Sequence, residues 1–139
     1  MYILKYLLYV LEHKWNVFKV AMSKGMFFHA FTHDLSKFTK EEFIPYAKYF
    51  YKDKEKYENE FQIAWMHHYR NNFHHWQFWL NRDGEPTEMP LKYINQMIVD
   101  WEAMSLKFGD SAREYYIKNK EDIKLAKNTR AVLESKLKV

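Results

Sequence analysis

An all-α, single-domain helical bundle is predicted for this 139-residue chain by three observations. Glycine and proline number only three each, too few for the turns of a sandwich or a barrel. Apolar side chains recur at spacings of three and four through most of the sequence, as in helices with one buried face. Eleven tyrosines and eleven phenylalanines supply an aromatic core and speak against disorder. The length suits one hydrophobic core, so residues 1–139 are read as one domain in which the last helices, 111–137, are accessory. With no cysteine, disulfides, zinc-thiolate sites and thiol nucleophiles are excluded together, and any metal must be held by nitrogen and oxygen.

The first helix is expected over residues 2 to about 23, with Gly25 as its stop. Its start is apolar, but Lys5 interrupts it and Glu12-His13-Lys14 ends it well short of the roughly 18 apolar residues of a membrane span. A buried helix in a soluble, cytoplasmic protein is the expectation, with no cleavable leader. Leu4, Leu8, Leu11, Trp15, Phe18 and Met22 form one apolar stripe at helical spacing. Tyr6, Val10, His13, Val17 and Val20 form a second, which sets His13 among apolar neighbours. A buried imidazole there needs a partner, either a backbone carbonyl or a metal.

Met26 to about Asp34 reads as a short aromatic helix ending in His33-Asp34. Adjacent side chains diverge along a helix, but at its end both can turn onto one ion. An imidazole beside a carboxylate suits a borderline divalent ion. Lys37 follows three residues later, and His29 lies one turn before His33. Thr39-Lys40-Glu41-Glu42 then reads as a capping box opening a third helix, in which Pro45 sits in the first turn.

A fourth helix carries Tyr57, Phe61, Trp65 and His68 on one face and runs into His67-His68-Tyr69-Arg70-Asn71-Asn72-Phe73-His74-His75-Trp76. Four of the seven histidines fall within these few residues, a density that points to metal ligands or phosphate donors. His68 should point inward, and His67, about 100° round the helix, should support it or face solvent. Asn81 to Pro90 is a loop. Leu91 to Phe108 is a helix closed by Gly109, and its face Tyr93, Met97, Asp100, Met104 is apolar except for one carboxylate. A buried carboxylate must be paired, protonated or metal-bound, which makes Asp100 a candidate ligand. Two helices, Ser111 to Lys118 and Glu121 to Leu137, complete the chain, with Arg113, Lys118 and Arg130 available to anions.

Net charge is +4. Residues 118–139 hold seven Lys/Arg against three Asp/Glu, so the whole excess is C-terminal. No groove-reading motif accompanies it, so nucleic-acid binding is not expected, nor is membrane association.

The ordered set of His13, His33-Asp34, the histidine cluster and Asp100 resembles the HD superfamily of metal-dependent phosphohydrolases, an all-helical fold. The resemblance implies one metal on His13, His33, Asp34 and Asp100. It implies a second on His68 with His74 or His75, Asp34 bridging the two. Lys37 matches a lysine that contacts substrate phosphate in many members. Nearly end to end, through His13-Lys14, His33 to Phe38, Asn72 to Trp76 and Tyr93 to Trp101, the chain also resembles a small family of unknown function from Firmicutes and their phages. The Gly-Tyr-Pro signature of cyclic-dinucleotide phosphodiesterases is missing, so that substrate class is not implied.

The expected activity is hydrolysis of a nucleotide or other small phosphate ester, using one or two ions of Mn, Fe, Co, Ni or Zn. Lys37, Arg70 and His75 would neutralise charge on the phosphate and leaving group. Trp76 and Trp79 are available to stack a base, or belong to the core. The alternatives are a di-iron oxygenase on the same fold and a non-catalytic binding protein, such as a phage counter-defence factor. Oligomeric state is left open.

Overall fold

The computed structural model describes residues Met1–Val139. Seven α-helices follow one another: α1 (Tyr2–Ser23), α2 (Phe27–Thr32), α3 (Lys40–Tyr51), α4 (Lys54–Asn71), α5 (Leu91–Phe108), α6 (Ala112–Asn119) and α7 (Lys127–Leu137). Two 3-10 turns, Leu35–Phe38 and Trp76–Trp79, interrupt them, and there is no β-strand. The all-α expectation therefore holds. The chain divides into two units by internal contacts, Met1–Asn72 and Phe73–Val139.

In the first unit α3 packs against both α1 and α4, and α2 folds back onto α1. The core is Tyr6, Val10, Tyr46, Ala47 and Ala64, flanked by Phe43, Phe61 and Trp65. On α1 it is the second stripe that turns inward: Tyr6, Val10, His13, Val17 and Ala21 are buried, with Asn16 beside them. The first stripe faces outward instead, with Leu4, Leu8, Leu11 and Trp15 between 47% and 59% exposed. Both stripes have helical period, and it is the rings of α3 that select the one carrying Tyr6, which stacks on Tyr46 with centroids 6.0 Å apart.

The capping box at Thr39 is not made. Thr39 Oγ1 donates backward to the Ser36 carbonyl at 2.6 Å and caps no helical N–H, leaving Glu42 free to turn into the core. Asp53 caps α4, its carboxylate accepting from the Lys56 N–H at 3.0 Å.

The second unit is built on Ile94, Met97, Tyr116, Leu133 and Leu137, with Trp76, Trp79, Tyr93 and Trp101 packed against them. Trp76 and Trp79 are thus core-flanking rings. α7 begins at Lys127, not Glu121: the preceding segment buries Ile123 and Leu125, two residues apart, so it follows an extended rather than a helical period. Two of the three C-terminal cations expected to be open to anions serve the fold. Arg130 donates to the Tyr116 hydroxyl and the Ile123 carbonyl, and Arg113 donates to the Lys138 carbonyl. Lys118 is exposed.

Candidate metal centre

α2 ends at Thr32, and the next two residues carry the His-Asp pair. Lys14 of α1 fixes this end by donating from Nζ to the Phe31 carbonyl at 3.0 Å and the His33 carbonyl at 3.1 Å. A cation on the last carbonyls of a helix is favourable, and here it anchors the residue that follows. Asp34 then adopts the left-handed backbone region at φ 52°, ψ 33°. Asp tolerates this conformation better than most residues, and the strain is of the kind stored at functional sites. Its consequence is a sharp turn that brings the carboxylate back beside the His33 ring.

Four nitrogen and oxygen donors of the first unit form a string. His13 Nε2 lies 3.3 Å from His33 Nε2. His33 Nε2 lies 3.2 Å from Asp34 Oδ2. Asp34 Oδ2 lies 3.5 Å from His68 Nε2. All four residues are buried, none more than 5% exposed. At bond lengths of about 2.0–2.2 Å, neighbouring ligand atoms in tetrahedral or octahedral coordination stand about 2.8–3.6 Å apart, so each consecutive pair of the string stands at the spacing of neighbouring ligands. In this open string Asp34, with two carboxylate oxygens, is the donor that two ions could share.

Burial alone would push the Asp34 carboxyl up, but His33, Lys37 and His68 override it and hold the group well below the ordinary carboxylate range. Asp34 is therefore ionised and acceptor-only. Lys37 Nζ reaches its Oδ2 at 2.8 Å, so the lysine expected to meet substrate phosphate is poised at the central carboxylate.

Behind the string stands Glu42, fully buried on α3. Its Oε2 lies 2.7 Å from His68 Nδ1 and its Oε1 2.6 Å from His67 Nδ1. Burial raises its pKa, but hydrogen bonds and charge from His68, with further bonds from His67 and Ser36, leave it lowered. An ionised carboxylate only accepts, so both Nδ1 atoms donate to Glu42, and Nε2 is the ring nitrogen that His68 turns toward Asp34. Asn72 Nδ2 donates to the His68 carbonyl at 2.8 Å and to Ser36 Oγ at 2.7 Å, closing the end of α4 against the 3-10 turn. This is the carboxylate–histidine arrangement that orients metal ligands in general. Glu42, Lys14 and Asn72 were not among the expected site residues. In the sequence Lys14 and Asn72 lie within segments that carry the family likeness, and Glu42 is legible only as a carboxylate three residues after Thr39, where a cap was the simpler reading.

His68 points inward and His67 is half-exposed, as the helical spacing predicts. Arg70 is exposed and lies about 200° round α4 from His68, so α4 does not bring it to the buried string. His29 is buried with its ring edge-on to His33, centroids 5.0 Å apart. The hydroxyls of Tyr6 and Tyr46 are buried without a hydrogen-bond partner. Burial, assisted by Glu42 and Asp34, raises both phenol pKa values, although Lys37 works in the opposite direction on Tyr6, so both stay protonated.

The second unit holds its own donor set. His74, His75 and Asp100 place one ligand atom each within 4.8 Å of one another, and His74 Nε2 lies 3.6 Å from Asp100 Oδ2. His74 is buried, His75 and Asp100 half-buried. The Asp100 carboxylate of α5 thus has an imidazole beside it.

No helix is long and apolar enough to cross a membrane. No protein of curated function and no solved structure matches the chain. The model of a family of unknown function, DUF5662, matches residues 2–139, which is all but the first residue. The chain therefore belongs to the DUF5662 family, whose description assigns no activity.

Proposed function

We propose that the protein is a metal-dependent phosphohydrolase acting on a nucleotide or another small phosphate ester. The observation that carries this reading is the buried string His13, His33, Asp34, His68, with separations of 3.2–3.5 Å and a lysine on its central carboxylate. Imidazole with carboxylate, and no thiolate, suits Mn, Fe, Co, Ni or Zn. When bound, such an ion supplies Lewis acidity toward phosphate oxygens and ionises a water near neutral pH.

The chain's own residues supply the rest. Asp34 is kept ionised by its neighbours, and Glu42 keeps the His68 proton on Nδ1. Lys37, partly open to solvent, can pass from Asp34 to a phosphate oxygen once another cation neutralises the carboxylate. That lysine suits an anionic phosphate substrate, and oxygen uptake separates this reading from the di-iron oxygenase. In this reading His74 and Asp100 are further ligands, as the HD resemblance implies, and His75 is left to donate to the leaving group.

The test uses protein purified without a His tag. Elemental analysis should find one or two transition-metal equivalents per chain, and a nucleotide screen should give phosphate release that chelator abolishes. Asp34→Asn should lose both metal and activity while keeping its helical circular dichroism. Oxygen uptake by the iron-loaded protein, without phosphate release in any metal, would replace this reading with the oxygenase. A chain that takes up no metal would be a binding protein.

A further inference from the structure

We infer that the outward face of α1 is a self-association surface, pairing with α1 of a second copy in an antiparallel two-helix seam. The apolar residues Leu4, Leu8, Leu11, Trp15, Phe18 and Met22 are separated by four, three, four, three and four positions. This is the alternating spacing of a coiled-coil seam, which keeps one narrow apolar line facing another helix. The opposite side of α1, through Tyr6, Val10, His13 and Val17, is already committed to the first unit's core. An apolar line is therefore left over that the fold does not use.

The exposures say where a partner fits. Leu4 is 54% exposed, Leu8 59%, Leu11 47% and Trp15 59%. Phe18 is half-buried, between Trp15 at 5.5 Å and Phe31 at 5.3 Å, centroid to centroid. The open part is thus the first four residues, about 17 Å of helix at the usual rise. In an antiparallel pair centred on them, Leu4 meets Trp15 of the other copy and Leu8 meets Leu11, giving four layers about a two-fold axis.

Charge supports this register. Lys5 and Glu12 flank the seam on the same edge, and the antiparallel pairing sets Lys5 of each copy beside Glu12 of the other, twice per dimer. Parallel pairing offers Glu12 no such lysine. The four layers bury on the order of 400–500 Å² per copy, against the roughly 800 Å² per partner of a standard interface. An interface of this size belongs to the weak, transient class, so the dimer is reversible and forms only at high concentration. A membrane surface would instead favour a broad apolar face ringed by cations, and the carboxylate at the seam edge opposes it.

Sedimentation equilibrium of the full chain over a wide concentration range tests the proposal. The wild type should pass from monomer to dimer. Leu8→Glu, at an exposed position that leaves the core intact, should be monomeric throughout. Lys5→Glu should weaken association about tenfold, and Lys5→Glu with Glu12→Lys should restore it. A wild type that stays monomeric at the highest concentration overturns the proposal. So does a double charge reversal no better than the single one, or a monomer that floats with anionic vesicles.

Discussion

The orientation of His68 decides which nitrogen it can offer. Glu42, 2.7 Å from Nδ1, engages that nitrogen and leaves Nε2 facing Asp34. Glu42→Gln replaces two acceptors by one acceptor and one donor, so only one of His67 and His68 keeps its bond. Metal affinity should fall about 10–100-fold, the usual cost of losing a carboxylate behind a ligating imidazole. Chelator-competition titration measures it, and His67→Ala, at the half-exposed ring, should change affinity far less. A Glu42→Gln variant that binds as tightly as wild type would leave the carboxylate a packing role only. The inward turn of His68 was legible because residues at 57, 61, 65 and 68 share a helix face. Glu42 was not, since a carboxylate three residues after a threonine looks the same whether it caps its own helix or reaches another one. Only the hydroxyl's backward bond to Ser36 separates the two cases.

Caps and stripes are features of whole elements, and they show what one element's sequence leaves undecided. α3 and α4 both follow a residue suited to capping, yet only Asp53 accepts from its helix's N–H groups. Asp53→Ala should destabilise the protein by about 1 kcal/mol, and Thr39→Ala by a few tenths as far as helix capping is concerned. Paired urea melts read the difference, and equal losses would mean that Thr39 caps in solution after all. Similarly, the two stripes of α1 have the same period and comparable hydrophobicity, so periodicity identified the helix but not its inward side. Tyr6 resolves it by stacking on Tyr46 and lying 5.0 Å from Phe43, contacts to an element forty residues away. The late start of α7 has a related cause. Glu121 to Ala126 has helical composition, but burial of Ile123 and Leu125 selects an extended path.

For the chain as a whole, the length of 139 residues points to one core, and internal contacts mark out units 1–72 and 73–139 within the chain. Each unit has imidazole and carboxylate donors, so ion binding should act on the folded state wherever those donors are used. An ion that binds the folded chain and not the unfolded one stabilises it by about 2.7 kcal/mol at a free concentration one hundred times its dissociation constant. For a domain of this size, each kcal/mol raises the melting temperature by roughly 3–4 °C, so saturation should add about 8–11 °C. Thermal melts of chelator-treated protein, with and without Mn or Zn, measure the shift independently of any catalytic activity. Asp34→Asn should remove it, because the central donor of the first unit's string loses its charge, whereas Asp100→Asn reads the contribution of the second unit's set. A shift that survives Asp34→Asn unchanged but disappears in Asp100→Asn would move the metal centre to His74, His75 and Asp100. It would leave the buried string of the first unit as an ion-pair network held together by Lys37 and Glu42.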